Sequence, residues 1–374
     1  MLDNYTIPIT ENVGLSRDTR IEWSLSQRVV LALEAAEVGS MNQVGDDPTM
    51  LLLVGGRQKR VETRPSDEWS RFGLGVVAEM DLETGASREV FTWETPPDSM
   101  SQPDGSVVFK SATRQGGLVY LCTQTEVLVV DESSWELQRR ISLSVFNDVH
   151  HVLPRTNGNL IVVSTGLDLV VEIDSQDSIV SEWNVAEVPT WERFDRSVDY
   201  RKVLTTKPHN VHPNFVFDYD GALWATRFEQ KDAVCLDEPD RPIPVDIERP
   251  HDGVVVGDSA WFTTVDGHIV ESDIPSRSIA NVWDLVPMSN TAEPLGWTRG
   301  LSVLGDKDVL VGFSTLRVTK ARENVRWVKK RFGLLESATV CPTHIARYDL
   351  AAGKMRWRRE LESPRLDVIF SVLA

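Results

Sequence analysis

Six runs of alternating apolar residues in this chain end on an aspartate: residues 76–81, 127–131, 169–174, 233–237, 268–273 and 344–349. A strand that recurs with the same stop residue marks a repeat architecture, in which each copy buries its faces only against its neighbours. Two further strand-like runs precede most of these segments, and a fourth follows. The clearest unit opens with His150 and His151, turns at Asn157-Gly158, continues over 160–165, turns over 166–168, runs through 169–174 and closes over 178–183. Asn-Gly between such runs favours a tight hairpin, because both central residues tolerate positive φ. Asp220-Gly221, Gly257-Asp258, Asp266-Gly267 and Gly305-Asp306 punctuate the later units in the same way. Six antiparallel units in 374 residues predict an all-β chain, a six-bladed β-propeller with short helical insertions over its channel.

The pattern places one domain over 1–374, with blades near 21–95, 104–142, 147–184, 208–247, 250–285 and 298–360. The first is the least regular, with candidate strands at 28–33, 50–54, 75–81 and 88–93, and the second is expected to open over 106–112. An open ring would leave strand edges unpaired, so the closing strand 367–373 is expected to pair back into the first blade. Trp93, Trp183, Trp283 and Trp357 recur in fourth strands, where large rings suit packing between blades. The six terminal aspartates are expected to cap turns through side-chain hydrogen bonds. Three longer stretches, 55–74, 189–208 and 317–343, are expected to overhang the channel. The second carries a short helix near 191–196. The third places Arg322, Arg326, Lys329, Lys330 and Arg331 on a helical pattern, suited to a positive lid over an anionic substrate.

Composition narrows the function. The formal charge of −17 argues against generic binding to nucleic acid or to an anionic membrane, since neutralising phosphates needs a basic surface. No apolar stretch approaches the ~18–20 residues that span a bilayer. The N-terminus shows neither a basic start nor an apolar core, so a signal peptide is not expected. Cys122, Cys235 and Cys341 form no C-x-x-C pair, and the first two lie in apolar strand runs, which fits a cytoplasmic protein. No nucleophile elbow, phosphate loop or dinucleotide fingerprint is present. The expected partner is a small molecule, and the oligomeric state stays open.

Five of the seven histidines fall near the starts of three adjacent units. His150 lies ten residues before Leu160, His251 ten before Trp261, and His212 eleven before Leu223; Arg299 holds the corresponding place, ten before Val309, in the sixth unit. Each position lies near the start of an innermost strand, where strands converge on the channel mouth. Three imidazoles make a first set of ligands for one transition metal ion, Fe, Zn or Cu, with positions left for water or substrate. His150, His212 and His251 are the expected metal ligands, with His151 and His209 as alternates. Successive strand residues face opposite sides, so His150 and His151 are not expected to share the channel. Asn147, Asp148, Asn210 and Asp252 stand beside them as supporting groups.

The repeated hairpins, with their Asn157-Gly158 and Asp220-Gly221 turns, make most of the chain resemble six-bladed propellers of the broad NHL, SMP-30 and arylsulfotransferase-like group. Within that group, peptidyl-hydroxyglycine amidating lyases hold a zinc ion with one histidine from each of three blades. His150, His212 and His251 look like that arrangement, and the resemblance implies that Arg299 clamps a substrate carboxylate. The chain differs from the group in lacking the regular NHL consensus, a secretory signal and paired cysteines.

These observations lead to an expected metal-dependent enzyme, a lyase or hydrolase or a non-haem iron oxygenase, acting on a small anionic substrate. Asp148 and Asp252 are the expected general base or supporting carboxylates, and Arg299, Asn147 and Asn210 the expected substrate contacts. Two alternatives stand beside it: a metal-free transferase or isomerase using the same histidines, and a non-catalytic propeller that binds protein partners.

Overall fold

The computed structural model describes residues 49–59, 70–101, 104–291, 293–305, 307–316, 341–362 and 365–374. The chain divides after Gly45, and every described residue belongs to the second unit, Asp46–Ala374. That unit is a six-bladed β-propeller, each blade a four-stranded antiparallel sheet.

Blade 2 comprises β4 (Ser111–Gln115), β5 (Leu118–Cys122), β6 (Val127–Asp131) and β7 (Leu137–Ile141). Blade 3 comprises β8 (Val149–Pro154), β9 (Leu160–Ser164), β10 (Leu169–Ile173) and β11 (Ile179–Asn184). Blade 4 comprises β12 (Val216–Tyr219), β13 (Ala222–Arg227), β14 (Asp232–Cys235) and the short β15 (Ile243–Pro244). Blade 5 runs β16 (Pro250–Val256), β17 (Ser259–Thr264), β18 (His268–Asp273) and β19 (Ser278–Asp284). Blade 6 runs β20 (Trp297–Gly305), β21 (Asp308–Ser314), β22 (His344–Asp349) and β23 (Lys354–Glu360).

Blade 1 closes the ring. Its outer three strands are β1 (Met50–Gln58), β2 (Phe72–Asp81) and β3 (Ser87–Trp93), and its innermost strand is β24 (Val368–Leu373), from the end of the sequence. The expected closing strand is therefore present, paired antiparallel to β1 with Leu53 opposite Val372. The two backbones approach so closely at Gly55 that a Cβ there would lie 1.9 Å from the Val368 carbonyl oxygen, so glycine is required. The candidate strand at 28–33 and the basic run 317–340 lie outside the described residues.

Two expected boundaries move. β1 extends to Gln58 and β2 starts at Phe72, so the stretch 55–74 is strand at both ends. Blade 2 opens at Ser111 instead of 106; in the preceding segment Val107 makes a single parallel bridge to Gly73. The apolar run 107–109 instead fills the joint with blade 1, where Phe109 shares a buried cluster with Leu52 and Val77.

The core lies between blades. Val127 and Ile141 of blade 2 pack with Val152, Leu160 and Val171 of blade 3, and Trp261 and Ile269 of blade 5 pack with Val309, Val311 and Phe313 of blade 6. Fourth-strand tryptophans serve these joints as expected: Trp93 donates to Glu126 of blade 2 at 2.9 Å and Trp183 to Asp237 of blade 4 at 3.0 Å. Five of the six strand-ending aspartates cap turns. Asp81 accepts from the Thr84 amide, Asp131 from Ser133 and Ser134, Asp174 from Gln176 and Ser178, Asp273 from Ser276, and Asp349 from Ala352. Asp237 is the exception, since Trp183 takes its carboxylate. No helix among the described residues is long and apolar enough to cross a membrane.

Candidate active site

The first strands touch one another around the axis, β24 with β4, β4 with β8, β8 with β12, β16 with β20 and β20 with β24. Four of them carry a β-bulge near their start. The register skips one residue between Val149 and His151, between Pro250 and Asp252, between Arg299 and Leu301, and on β24 between Ile369 and Ser371. The extra residues are His150, His251, Gly300 and Phe370. A bulge re-aims the side chain it carries, and here it turns His150, His251 and Phe370 toward one another. The rings of His150 and His251 lie 6.0 Å apart between centroids, and His251 lies 5.9 Å from Phe370. In blade 6 the bulged residue has no side chain, and its neighbour Arg299 reaches in, its guanidinium 4.2 Å from the Phe370 centroid and hydrogen-bonded to His251 Nε2. Gly300 sits at φ +50°, and a Cβ there would meet the Val372 nitrogen at 2.9 Å.

Blade 4 reaches the same place differently. His209 and His212 lie on the loop before β12, with His212 at φ +57°. His212 packs edge-on against His150 at 5.1 Å and stacks on His209 at 4.9 Å. The two loop imidazoles share a hydrogen bond between Nδ1 atoms of 2.7 Å. Blade 3 adds Asp148, at φ +55°, and blade 2 adds Lys110, whose ammonium is ion-paired with the Asp148 carboxylate; both side chains are 7% exposed.

These placements give each expected residue a position. His150, His212 and His251 do converge across the channel, and Arg299 joins them. Among the described residues, potential ligand atoms of Asp148, His209 and His212 all lie within 4.8 Å of one another. His209 thus lies in this cluster, and His251 Nε2 is hydrogen-bonded to Arg299. His151 points the other way, packed at 4.7 Å on Phe215 and accepting the Val216 amide through Nδ1 at 3.4 Å. Asn147 gives its amide to the carbonyls of Tyr200 and Val203 at 2.8 and 2.7 Å, which anchors the 189–208 insertion. Asn210 has an exposed side chain, and its backbone amide donates to Asp168 at 2.9 Å. Lys110 and Asp168 escaped the sequence reading: one looks like any strand-edge lysine, the other like any turn aspartate.

Burial sets the electrostatics. His150 is held well below its ordinary pKa, first by burial and then by the charges of Lys110, His251, Arg299 and His209. His212 is lowered well below as well, by burial and then by His150 and His209. Burial pushes His209 down to about 4, against the opposing pull of the Asp168 carboxylate. His150 Nδ1 faces the Asp148 carbonyl at 2.7 Å. A neutral imidazole there must donate from Nδ1, which leaves Nε2 as its basic atom. Asp252, partly buried, is raised to about 7 by desolvation, although amides of Gly253, Leu301 and Gly300 and the charge of Arg299 pull it down.

No family model matches the chain, and no curated protein matches it. Among solved structures it is similar to a protein of unknown function from Bacteroides caccae, at 10% identity over 87% of this chain and 98% of that one, with a TM-score of 0.55. A streptogramin B lyase structure is 11% identical over 85% of this chain and 89% of that one, with a TM-score of 0.45. A catalytically inactive virginiamycin B lyase from Staphylococcus aureus with quinupristin is 12% identical over 69% and 71%, with a TM-score of 0.40. At these identities the likeness is one of fold.

Proposed function

We propose that this propeller is an enzyme, a lyase or hydrolase, that acts on a small anionic molecule at the channel mouth with a transition metal ion held by Asp148, His209 and His212. The observation that carries the reading is the convergence of those three ligand groups within 4.8 Å, beside the imidazoles of His150 and His251. Two nitrogens and an oxygen suit Zn²⁺ or Fe²⁺. A cation there would replace the proton now shared between His209 and His212. When bound, such an ion supplies Lewis acidity and a more acidic water.

The chain's own residues carry the rest. Arg299 places a guanidinium charge at the mouth of a protein whose formal charge is −17, while Lys110 there is paired with Asp148, so an anion bound at the mouth meets its positive partner in Arg299. Arg299 is packed on Phe370 and presents a planar donor edge suited to a carboxylate or sulfate. His150 is a weak base in the resting site because burial, and after it the positive neighbours, disfavours its protonation. An anion bound among them offsets those positive charges and raises its basicity, which favours Nε2 as the acceptor of a substrate proton.

One observation favours a metal-free version of the same chemistry. The candidate ligand atoms already satisfy one another, His209 with His212 and Asp148 with Lys110. Metal analysis of the purified protein separates the two. The leading reading expects close to one equivalent of zinc or iron, lost in His212→Ala and His209→Ala. Trace metal that these substitutions leave unchanged would pass the site to the metal-free reading.

A further inference from the structure

We infer that Asp168 is the positioning residue of the site, the group that holds His209 and His212 against each other. The inference rests on the reading above that this pair is the working part of the mouth. Asp168 follows a single 3₁₀ turn, Thr165–Leu167, between β9 and β10, and it is completely buried. It sits at φ +50°. Its carboxylate reaches across to blade 4 and accepts three successive backbone amides of the histidine loop: Asn210 at 2.9 Å, Val211 at 3.2 Å and His212 at 2.7 Å. Three consecutive N–H groups closing on one anion form a nest. That nest explains how His212 keeps a left-handed backbone, a conformation that non-glycine residues retain only where the surroundings hold them in it.

The fourth donor identifies what the 189–208 insertion does. Its helix, Thr190–Arg193, delivers Arg193 to the other side of the same carboxylate, Nη1 to Oδ2 at 2.7 Å. The insertion is therefore the counter-ion arm of a buried charge, and the Thr206 hydroxyl, bonded to the Gly166 carbonyl, ties its far end to the same turn. A carboxylate is needed because every group facing it is a donor. Asparagine offers one acceptor oxygen and turns an NH₂ toward N–H groups, leaving buried donors unsatisfied.

The test is long-range ¹H–¹⁵N correlation spectroscopy of the imidazoles in the metal-free protein, which reports the tautomer of each ring without reference to activity. Wild type is expected to show fixed, distinct Nδ1 signals for His209 and His212, one protonated and one not. In Asp168→Asn that distinction collapses to averaged signals while His268 and His344 keep theirs. Asp174→Asn, which removes a turn-capping carboxylate from the same blade, leaves the pair unchanged. Should Asp168→Asn not fold, Arg193→Gln, which frees the carboxylate from the guanidinium that fixes it against the nest, is expected to move the same two signals. Where a metal binds, its affinity falls about 10–100-fold in Asp168→Asn. Unaltered His209 and His212 signals in a folded Asp168→Asn, or in Arg193→Gln if the former does not fold, would overturn the inference. A wild-type protein that binds no metal but shows the Asp168 dependence would sink the metal reading alone.

Discussion

The two ends of the blades use aspartate in opposite ways. At the end where the third strands stop, Asp81, Asp131, Asp273 and Asp349 accept hydrogen bonds from residues two or three positions further along the chain, and all four are held below the usual carboxylate range by those bonds. At the mouth, Asp148 pairs with a lysine of another blade, Asp168 with a loop and a helix beyond its own blade, and Asp252 is raised to about 7 by burial. Local partners give a carboxylate that stays ionised and stabilises a turn. Partners from other blades give one that ties separate elements of the ring together.

The largest effects should separate the metal ligands from their neighbours. His212→Ala and His209→Ala are expected to abolish stoichiometric metal, measured by elemental analysis. His251→Ala should keep most of it, because Arg299 already occupies Nε2. Loss in His212→Ala and His251→Ala with metal kept in His209→Ala would restore the His150, His212 and His251 set that sequence spacing suggests. Next in size are losses of stability at the ring itself. Phe262→Ala, deep between blades 4 and 5, should cost about 3–5 kcal/mol in denaturant unfolding. Gly300→Ala should cost about 1–3 kcal/mol, from a forced left-handed backbone and a clash with β24.

The pH dependence sharpens the contrast with signs that oppose each other. Asp252 has a folded pKa above its unfolded value near 3.9, so its contribution is fully present below pH ~4 and lost as pH rises through about 7. The melting temperature of Asp252→Asn should therefore gain on wild type between pH 4 and 8. Asp131, lowered to about 2, contributes above pH ~4 and loses that contribution as pH falls toward 2, so Asp131→Asn should gain on wild type only in acid. Thermal melts across pH check both signs, and parallel curves would show that the two ends do not differ. The smallest effect belongs to Asp273→Asn, a slight drop in melting temperature with metal content unchanged.

The sequence disclosed the repeat because a strand's alternation and a turn's Asp-Gly or Asn-Gly are local signals, and the closing strand was legible as a seventh run with no place in blade 6. The mouth was only partly legible. Counting residues between anchors found His150 and His251, yet it paired them with Arg299, one residue before the true counterpart Gly300. A bulge inserts one residue without altering apolar alternation enough to be seen, so offsets drift by one between blades. Asp168 shows the deeper limit. Its donors lie 25 to 44 residues away along the chain, and nothing near it in sequence distinguishes it from the turn-capping Asp174.

The most direct measurement of the central claim is titration of the metal-free protein with Co²⁺, followed by its visible absorption. The account expects saturable binding of one equivalent, with bands of a nitrogen and oxygen site that vanish in His212→Ala and persist in His151→Ala. Cobalt that fails to saturate, or bands that survive the loss of His212, would contradict a metal centre built by the converging strands.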